Sequence, residues 1–243
     1  MEIANLTCLD SFGENVVKID PEQFVALVRT PLESRNSQQL AELLHQHWSD
    51  QEIGSLLDSD HDDARKLATL ALGLIGDVHC VTALAAQLRD SDSMVNQMAE
   101  HALWTIWFRA GTPSAHQRVL QGTRLMNSRQ YQDAEESFSQ AIDLDPVYAE
   151  AYNQRSLARY LMENYRLSVQ DGEKTVQLMP MHFGAWSGMG HCYAHLGQKS
   201  RALECYRRAL SINPYLRCIG EIIEELESPR PRPGLAPRPA SRL

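Results

Sequence analysis

Nowhere do the 243 residues supply a run of about 18 apolar side chains, so no helix of this chain is expected to cross a bilayer. No C-x-x-C pair occurs, and the cysteines (Cys8, Cys80, Cys192, Cys205 and Cys218) are odd in number, which reads as reduced thiols rather than a disulfide framework. The opening stretch MEIANLTCLDSFGENVVKID places acids before any base and has no apolar core, which argues against a secretory signal. A cytoplasmic location is therefore expected, where the sequon at Asn5 would stay unmodified. Also missing are G-x-S-x-G, H-E-x-x-H, a Walker loop and G-x-G-x-x-G, and no carboxylate pair stands apart from the many surface acids. The expectation is a protein that is not an enzyme, with no catalytic residue, no cofactor and no bound metal.

Positive charge is scarce as well. Lys and Arg number 23 against 31 acids, a formal charge of -8, and residues 1–112 hold 7 basic against 17 acidic side chains. Residues 113–228 hold 12 against 14, while 229–243 hold four arginines and no acid. Nucleic-acid affinity comes largely from Lys and Arg displacing counterions, so an acidic body argues against a phosphate-tracking groove. No nucleic acid and no membrane are expected as partners.

What the chain has is a period. Pro146, Pro180 and Pro214 stand 34 residues apart, and each closes a segment with the same order of small and bulky apolar residues. A repeat of that length means a helix-turn-helix unit that cannot bury its own apolar face and stacks on copies of itself. The clearest copy has Trp186, Gly190 and Tyr193 on a first helix, then Ala202, Tyr206 and Ala209 on a second. Gly190 and Ala202 are small where the helices cross closely, and the aromatics fill the space beside them. Gly197 ends the first helix of that unit and Pro214 the second.

These positions resemble the tetratricopeptide repeat (TPR) family. The first unit keeps Gly122, Ala134, Phe138 and Ala141, with Arg118 and Leu125 at aromatic positions. The middle unit keeps Tyr152, Ser156 and Tyr165 but places Arg159, Gly172 and Thr175 where the family carries an aromatic, an aromatic and alanine. Gly in a helix interior costs about 1 kcal/mol against Ala, so the second helix of the middle unit is expected to be the least stable of the six. Upstream, Ala68, Ala71 and Leu72 recur 31 residues later as Ala99, Ala102 and Leu103, with Asp-Ser-Asp at 58–60 and 90–92. With Ala71 to Asp77 reading A-L-G-L-I-G-D, this stretch resembles short HEAT-like repeats of bilin-lyase relatives. Trp104, Trp107 and Phe108 fall on one helical face, read as a core seam in preference to a partner patch.

The fold class expected is all-α: an α-α superhelix, or right-handed solenoid, of HEAT-like repeats, three TPR units and a C-terminal capping helix. Its divisions are a partly disordered extension at 1–19, HEAT-like repeats at 20–111, and TPR units within 112–214 (113–146, 147–180 and 181–214). A capping helix at 215–228 and a disordered Pro/Arg-rich tail at 229–243 complete it. The TPR resemblance implies a non-catalytic scaffold or adaptor that holds a peptide or helix of another protein in its concave groove. The groove positions carried over are Val119, Thr123, Met126, Asn127, Asn153, Leu157, Tyr160, Leu161, Ser187, His191 and His195. Each can also be read as a solvated inner face without a ligand. Family members that clamp a chaperone's terminal carboxylate carry Lys, Arg and Asn at five positions; here these are Val119, Thr123, Gln154, Gly184 and Gly188, so no carboxylate clamp is expected. The HEAT-like resemblance leaves one alternative, an accessory factor or lyase-like protein handling a tetrapyrrole chromophore.

Overall fold

The computed structural model describes residues 19–228; the expectations for the N-terminal extension, Cys8 and the Pro/Arg tail lie outside the described residues. Thirteen α-helices and no strand occur among them, so the fold is all-α. The chain divides into two compact units, one of residues up to 118 with 141–150, the other of 119–140 with 151 onward.

The first unit contains α1 (Pro21–Glu33), α2 (Ser37–His47), α3 (Asp50–Gly54), α4 (Asp62–Ile75), α5 (Val81–Gln87) and α6 (Ser93–Arg109). Local chemistry sets several starts: Asn36 caps α2, Asp92 caps α6, and Ser49 forms with Glu52 the reciprocal box that opens α3. The Ser49 side chain and backbone bond to the Glu52 carboxylate, which holds that acid below its usual range. Helix α4 packs on α6 because Gly73 leaves room: a Cβ there would lie 2.9 Å from the Ala102 Cβ. Arg109 at the end of α6 donates to the carbonyls of Gly73 (2.8 Å), Leu74 (2.7 Å) and Gly76, satisfying the open end of α4. Trp107 is 1% exposed, as a core seam requires, and meets the half-buried Trp104 edge-to-face at 5.1 Å. The Tyr148 hydroxyl donates to the Phe108 carbonyl, and its ring lies where a Gly111 side chain would be.

Helices α7 (Pro113–Asn127) and α8 (Tyr131–Leu144) run through both units; α9 (Ala149–Leu161), α10 (Tyr165–Leu178), α11 (Phe183–His195), α12 (Lys199–Ile212) and α13 (Arg217–Glu227) follow. Inside the second unit α10 packs on α11, α11 on α12 and α12 on α13, so successive hairpins stack side by side. The 34-residue period reappears in the backbone. Arg129, Glu163 and Gly197 adopt positive φ (60°, 62° and 72°), each ending the first helix of its hairpin. In each turn the next residue's N–H reaches back five positions, Gln130 to Leu125 (2.9 Å), Asn164 to Arg159 (2.8 Å) and Gln198 to Tyr193 (2.8 Å), closing the helix end.

The first and third hairpins cross where a small residue meets a large one. A Cβ on Gly122 would lie 2.4 Å from the Phe138 ring, and one on Gly190 2.4 Å from the Tyr206 ring, so both aromatics rest on bare helix backbone. The middle hairpin solves the crossing differently. Ser156 and Ser168 exchange hydroxyl-to-carbonyl bonds of 2.9 and 2.8 Å between α9 and α10, and Cys192 donates to the Ser168 hydroxyl. The space left by Gly172 is taken by Met189, whose Cγ lies 2.5 Å from where a Cβ would be. Arg159, in an aromatic's place, joins an ion network: it reaches Glu135 at 2.7 Å and Asp171 at 2.8 Å, while Arg155 grips both Asp171 oxygens at 2.7 and 3.0 Å. The departures that mark this hairpin as weak in sequence are thus met by packing and charge supplied from α8 and α11.

Candidate functional site

All eleven expected groove residues belong to the second unit. Val119 is corrected: it is fully buried, because it continues the buried stripe of Ala115 and Gly122 along α7, and it offers no surface to a ligand. Thr123 and Ser187 are half-buried, and each hydroxyl donates to its own helix, Thr123 to the Val119 carbonyl and Ser187 to that of Gly184, both at 2.9 Å. Met126, Asn153 and Leu157 are half-buried, Asn127 is exposed, and Leu161 is an exposed apolar residue, 40% open.

Three of the eleven meet directly. Tyr160 of α9 approaches both histidines of α11, with ring centroids 6.3 Å from His191 and 5.6 Å from His195, and its hydroxyl is 3.2 Å from the His195 Nε2. Two further tyrosines complete the cluster. Tyr165 stacks on His195 at 4.5 Å and 9°, and lies 5.6 Å from Tyr160; Tyr206 bonds through its hydroxyl to the His191 Nδ1 at 2.9 Å. The i, i+4 spacing of the histidines puts both imidazoles on one face of α11, and the start of α10 and the Gly190 crossing bring the tyrosines to it. Neither tyrosine is reachable from the groove positions of single helices: Tyr165 arrives by packing between neighbouring hairpins, and Tyr206 by the crossing within its own. The contacts leave out Thr123, Met126 and Asn127.

The inner side of the cluster is partly dry. Burial, with the neighbouring His195, lowers the His191 pKa to about 4, so this imidazole is uncharged at neutral pH. Burial likewise raises Tyr160, Tyr165 and Tyr206, which keep their protons. Each imidazole has a nitrogen engaged by a tyrosine hydroxyl, an arrangement that fixes the rings rather than presenting a ligand pair. The surface is therefore an aromatic and imidazole platform with Leu161 exposed near its tyrosine. It can hold apolar or aromatic side chains and supply hydroxyl and imidazole hydrogen bonds. Two depressions lie elsewhere: one of about 330 Å³ in the first unit beside Leu70, Leu74 and Met98, the other of about 460 Å³ in the second beside Trp186, Met189 and Tyr193. Neither shares a residue with the expected groove.

Residues 119–178 match one model of the tetratricopeptide repeat and residues 184–216 match another. A TPR repeat-containing protein of Rhizobium etli is 30% identical over 120 residues, covering 49% of this chain and 59% of that protein. Anaphase-promoting complex subunit 3 of Schizosaccharomyces pombe is 31% identical over 100 residues, 40% of this chain and 15% of that one. The Hsp70-Hsp90 organizing protein of Triticum aestivum is 29% identical over 100 residues, 41% of this chain and 17% of that one. The chain thus spans just over half of the first relative and a small part of the other two. Among solved structures, the Arabidopsis OM64 TPR domain is similar with a TM-score of 0.46 and 19% identity, covering 46% of this chain and 93% of that domain. Tetratricopeptide repeats accordingly occupy residues 119–178 and 184–216.

Proposed function

We propose that this chain is a non-catalytic scaffold whose tetratricopeptide repeats hold a peptide or helix of another protein against the Tyr160 face of α9 and α11. The observation that carries the reading is the cluster itself. Five rings from four helices are fixed by ring contacts and hydroxyl-imidazole bonds, and part of their surface is left open. Rings held in place lose little rotamer freedom on binding, so they offer contact area at low entropic cost. Leu157 and Leu161 extend the apolar surface.

The partner is not gripped by a terminal carboxylate. Of the five clamp positions, Val119 and Gln154 are buried, Thr123 spends its proton on α7, and Gly184 and Gly188 have no side chain. No cation stands at any of them, so an anionic chain end gains nothing here that water does not give it. We read residues 20–111 as HEAT-like helical pairs, supported by the close Gly73–Ala102 crossing of α4 and α6. A cytoplasmic location is supported by the four free cysteines Cys80, Cys192, Cys205 and Cys218; no described helix is long and apolar enough to cross a membrane.

Affinity purification of the wild type beside a Leu157→Ala/Tyr160→Ala variant tests the reading. A protein recovered at stoichiometric level with the wild type should be lost with the variant, with the circular dichroism of the two proteins alike. Equal recovery by both would overturn it.

A further inference from the structure

Cys80 closes a 3-10 turn, Val78–Cys80, that follows α4, and it is a free thiol only 8% exposed. Asp77 caps this turn, and Asp50 is the first residue of α3. The Cys80 Sγ and one carboxylate oxygen from each aspartate lie within 4.8 Å of one another. The chain makes room for the sulfur at Gly76, where a Cβ would come 3.0 Å from Sγ. Asp77 accepts the His79 N–H through Oδ1 at 2.8 Å, and its other oxygen is free to turn.

We propose that Asp50, Asp77 and Cys80 form a binding site for a thiophilic divalent cation of the zinc type. Two carboxylates and a buried thiol converge here from the start of α3 and from the turn after α4, and neither aspartate forms an ion pair among the described residues. Arg109 and the His45 imidazole lie nearby, and the guanidinium is occupied by the carbonyls of Gly73, Leu74 and Gly76. Counting Asp50, Asp77 and Arg109, the place carries one net negative charge. A divalent cation that displaces the thiol proton to solvent brings the sum to zero, with the Cys80 thiolate as the third ligand. The balance is one cation bound, one S–H bond broken and one proton released.

The donor set selects the metal. Magnesium and calcium demand shells of oxygen, usually six or more, which a sulfur does not complete. Zinc takes oxygen at about 2.0–2.2 Å and sulfur at about 2.3 Å in a tetrahedron, so its ligands lie about 3.5 Å apart. Side-chain rotation of the exposed Asp77 and the half-buried Asp50 closes the difference, and solvent beside Asp77 supplies the fourth ligand.

Cobalt is the probe, because a thiolate bound to it gives a charge-transfer band in the near ultraviolet. Untagged full-length chain titrated with Co²⁺ should develop that band at one ion per chain, and Zn²⁺ should discharge it. Asp77→Asn keeps a capping oxygen for His79 while removing the charge, so it should fold as the wild type does and bind at least tenfold more weakly. Cys80→Ser should lose the band, and Cys218→Ser should keep it. Absence of the band in the wild type, its survival in Cys80→Ser, or equal affinity in Asp77→Asn would each refute the site; if Cys80→Ser does not fold, Asp77→Asn decides.

Discussion

Gly188 and Gly190 stand two residues apart on α11 and differ in one respect: a Cβ on Gly188 meets nothing within 4 Å, whereas one on Gly190 would lie 2.4 Å from the Tyr206 ring. Alanine at either position gains the same backbone term, about 0.5–1 kcal/mol, because a helix interior is entropically dearer for glycine. At Gly188 nothing opposes that gain. At Gly190 the new methyl group collides with a ring that is 1% exposed and tethered by its hydroxyl to His191, so the ring cannot swing aside. Overpacking of this kind costs about 1–3 kcal/mol. Gly188→Ala should therefore stabilise by about 0.5–1 kcal/mol, and Gly190→Ala should destabilise by about 1–2 kcal/mol. For a chain of this size the two melting temperatures should be separated by roughly 4–12 °C. Thermal unfolding followed by circular dichroism, with urea midpoints as a second measure, reads both. The collision with Tyr206 is isolated by repeating Gly190→Ala in a Tyr206→Leu background, where the substitution should lose most of its cost. If Gly190→Ala matches Gly188→Ala, or if its cost is unchanged without the Tyr206 ring, the account of the hairpin crossing is wrong.

Three other outcomes follow from the second unit. Asp171→Ala leaves the guanidinium groups of Arg155 and Arg159, each under a fifth exposed, without their shared carboxylate, and should cost about 3 kcal/mol in urea unfolding. Glu163 holds a φ of 62° that glycine adopts freely, so Glu163→Gly should stabilise by about 1 kcal/mol, whereas the same substitution at mid-helix Glu173 should destabilise. His191 titrates near pH 4 in the fold against an ordinary value of 6.5, so the unfolded chain binds more protons between those limits. Stability should then fall as pH drops from about 6.5 to about 4, by up to about 3 kcal/mol, and His191→Gln should flatten that part of the urea midpoint against pH profile.

The 34-residue period was legible because proline and glycine are blunt signals: Pro146, Pro180, Pro214 and Gly197 mark stops that few other residues make. The same turn at Arg129 and Glu163 is invisible in sequence, since nothing in an arginine or a glutamate announces a left-handed backbone. Gly172 is legible only in part. Read alone it is a hole in a helix, but the side chain that fills the hole is Met189, seventeen positions on and in the next unit of the repeat. Tyr160, His191 and His195 were legible as neighbours because repeat position dictates which face of a helix they occupy. Tyr165 and Tyr206 were missed as members of the cluster because their places depend on packing between helices, Tyr165 across neighbouring hairpins and Tyr206 within its own, which a position within one helix does not encode. Val119 failed for a related reason: an apolar residue at a groove position is claimed by the core when its neighbours on the stripe are Ala115 and Gly122.

On the proposed reading, the histidine and tyrosine face ties recognition to packing. Tyr206 serves two purposes: its ring covers Gly190 and its hydroxyl sets the His191 imidazole. Tyr206→Phe keeps the ring and removes the bond, so the hairpin should lose only about 1 kcal/mol while His191 gains freedom to turn. A partner that contacts His191 through its free nitrogen should then bind more weakly to Tyr206→Phe, although Tyr206 itself need not touch it. A partner bound only by Tyr160, Tyr165 and Leu161 should be indifferent to the change. Measuring affinity of the purified partner for Tyr206→Phe beside Tyr160→Phe separates the two: a loss confined to Tyr206→Phe places the recognition at His191, and a loss confined to Tyr160→Phe places it at His195. If neither substitution alters the affinity, the hydroxyl-imidazole pairs hold the hairpins together without presenting the imidazoles to anything.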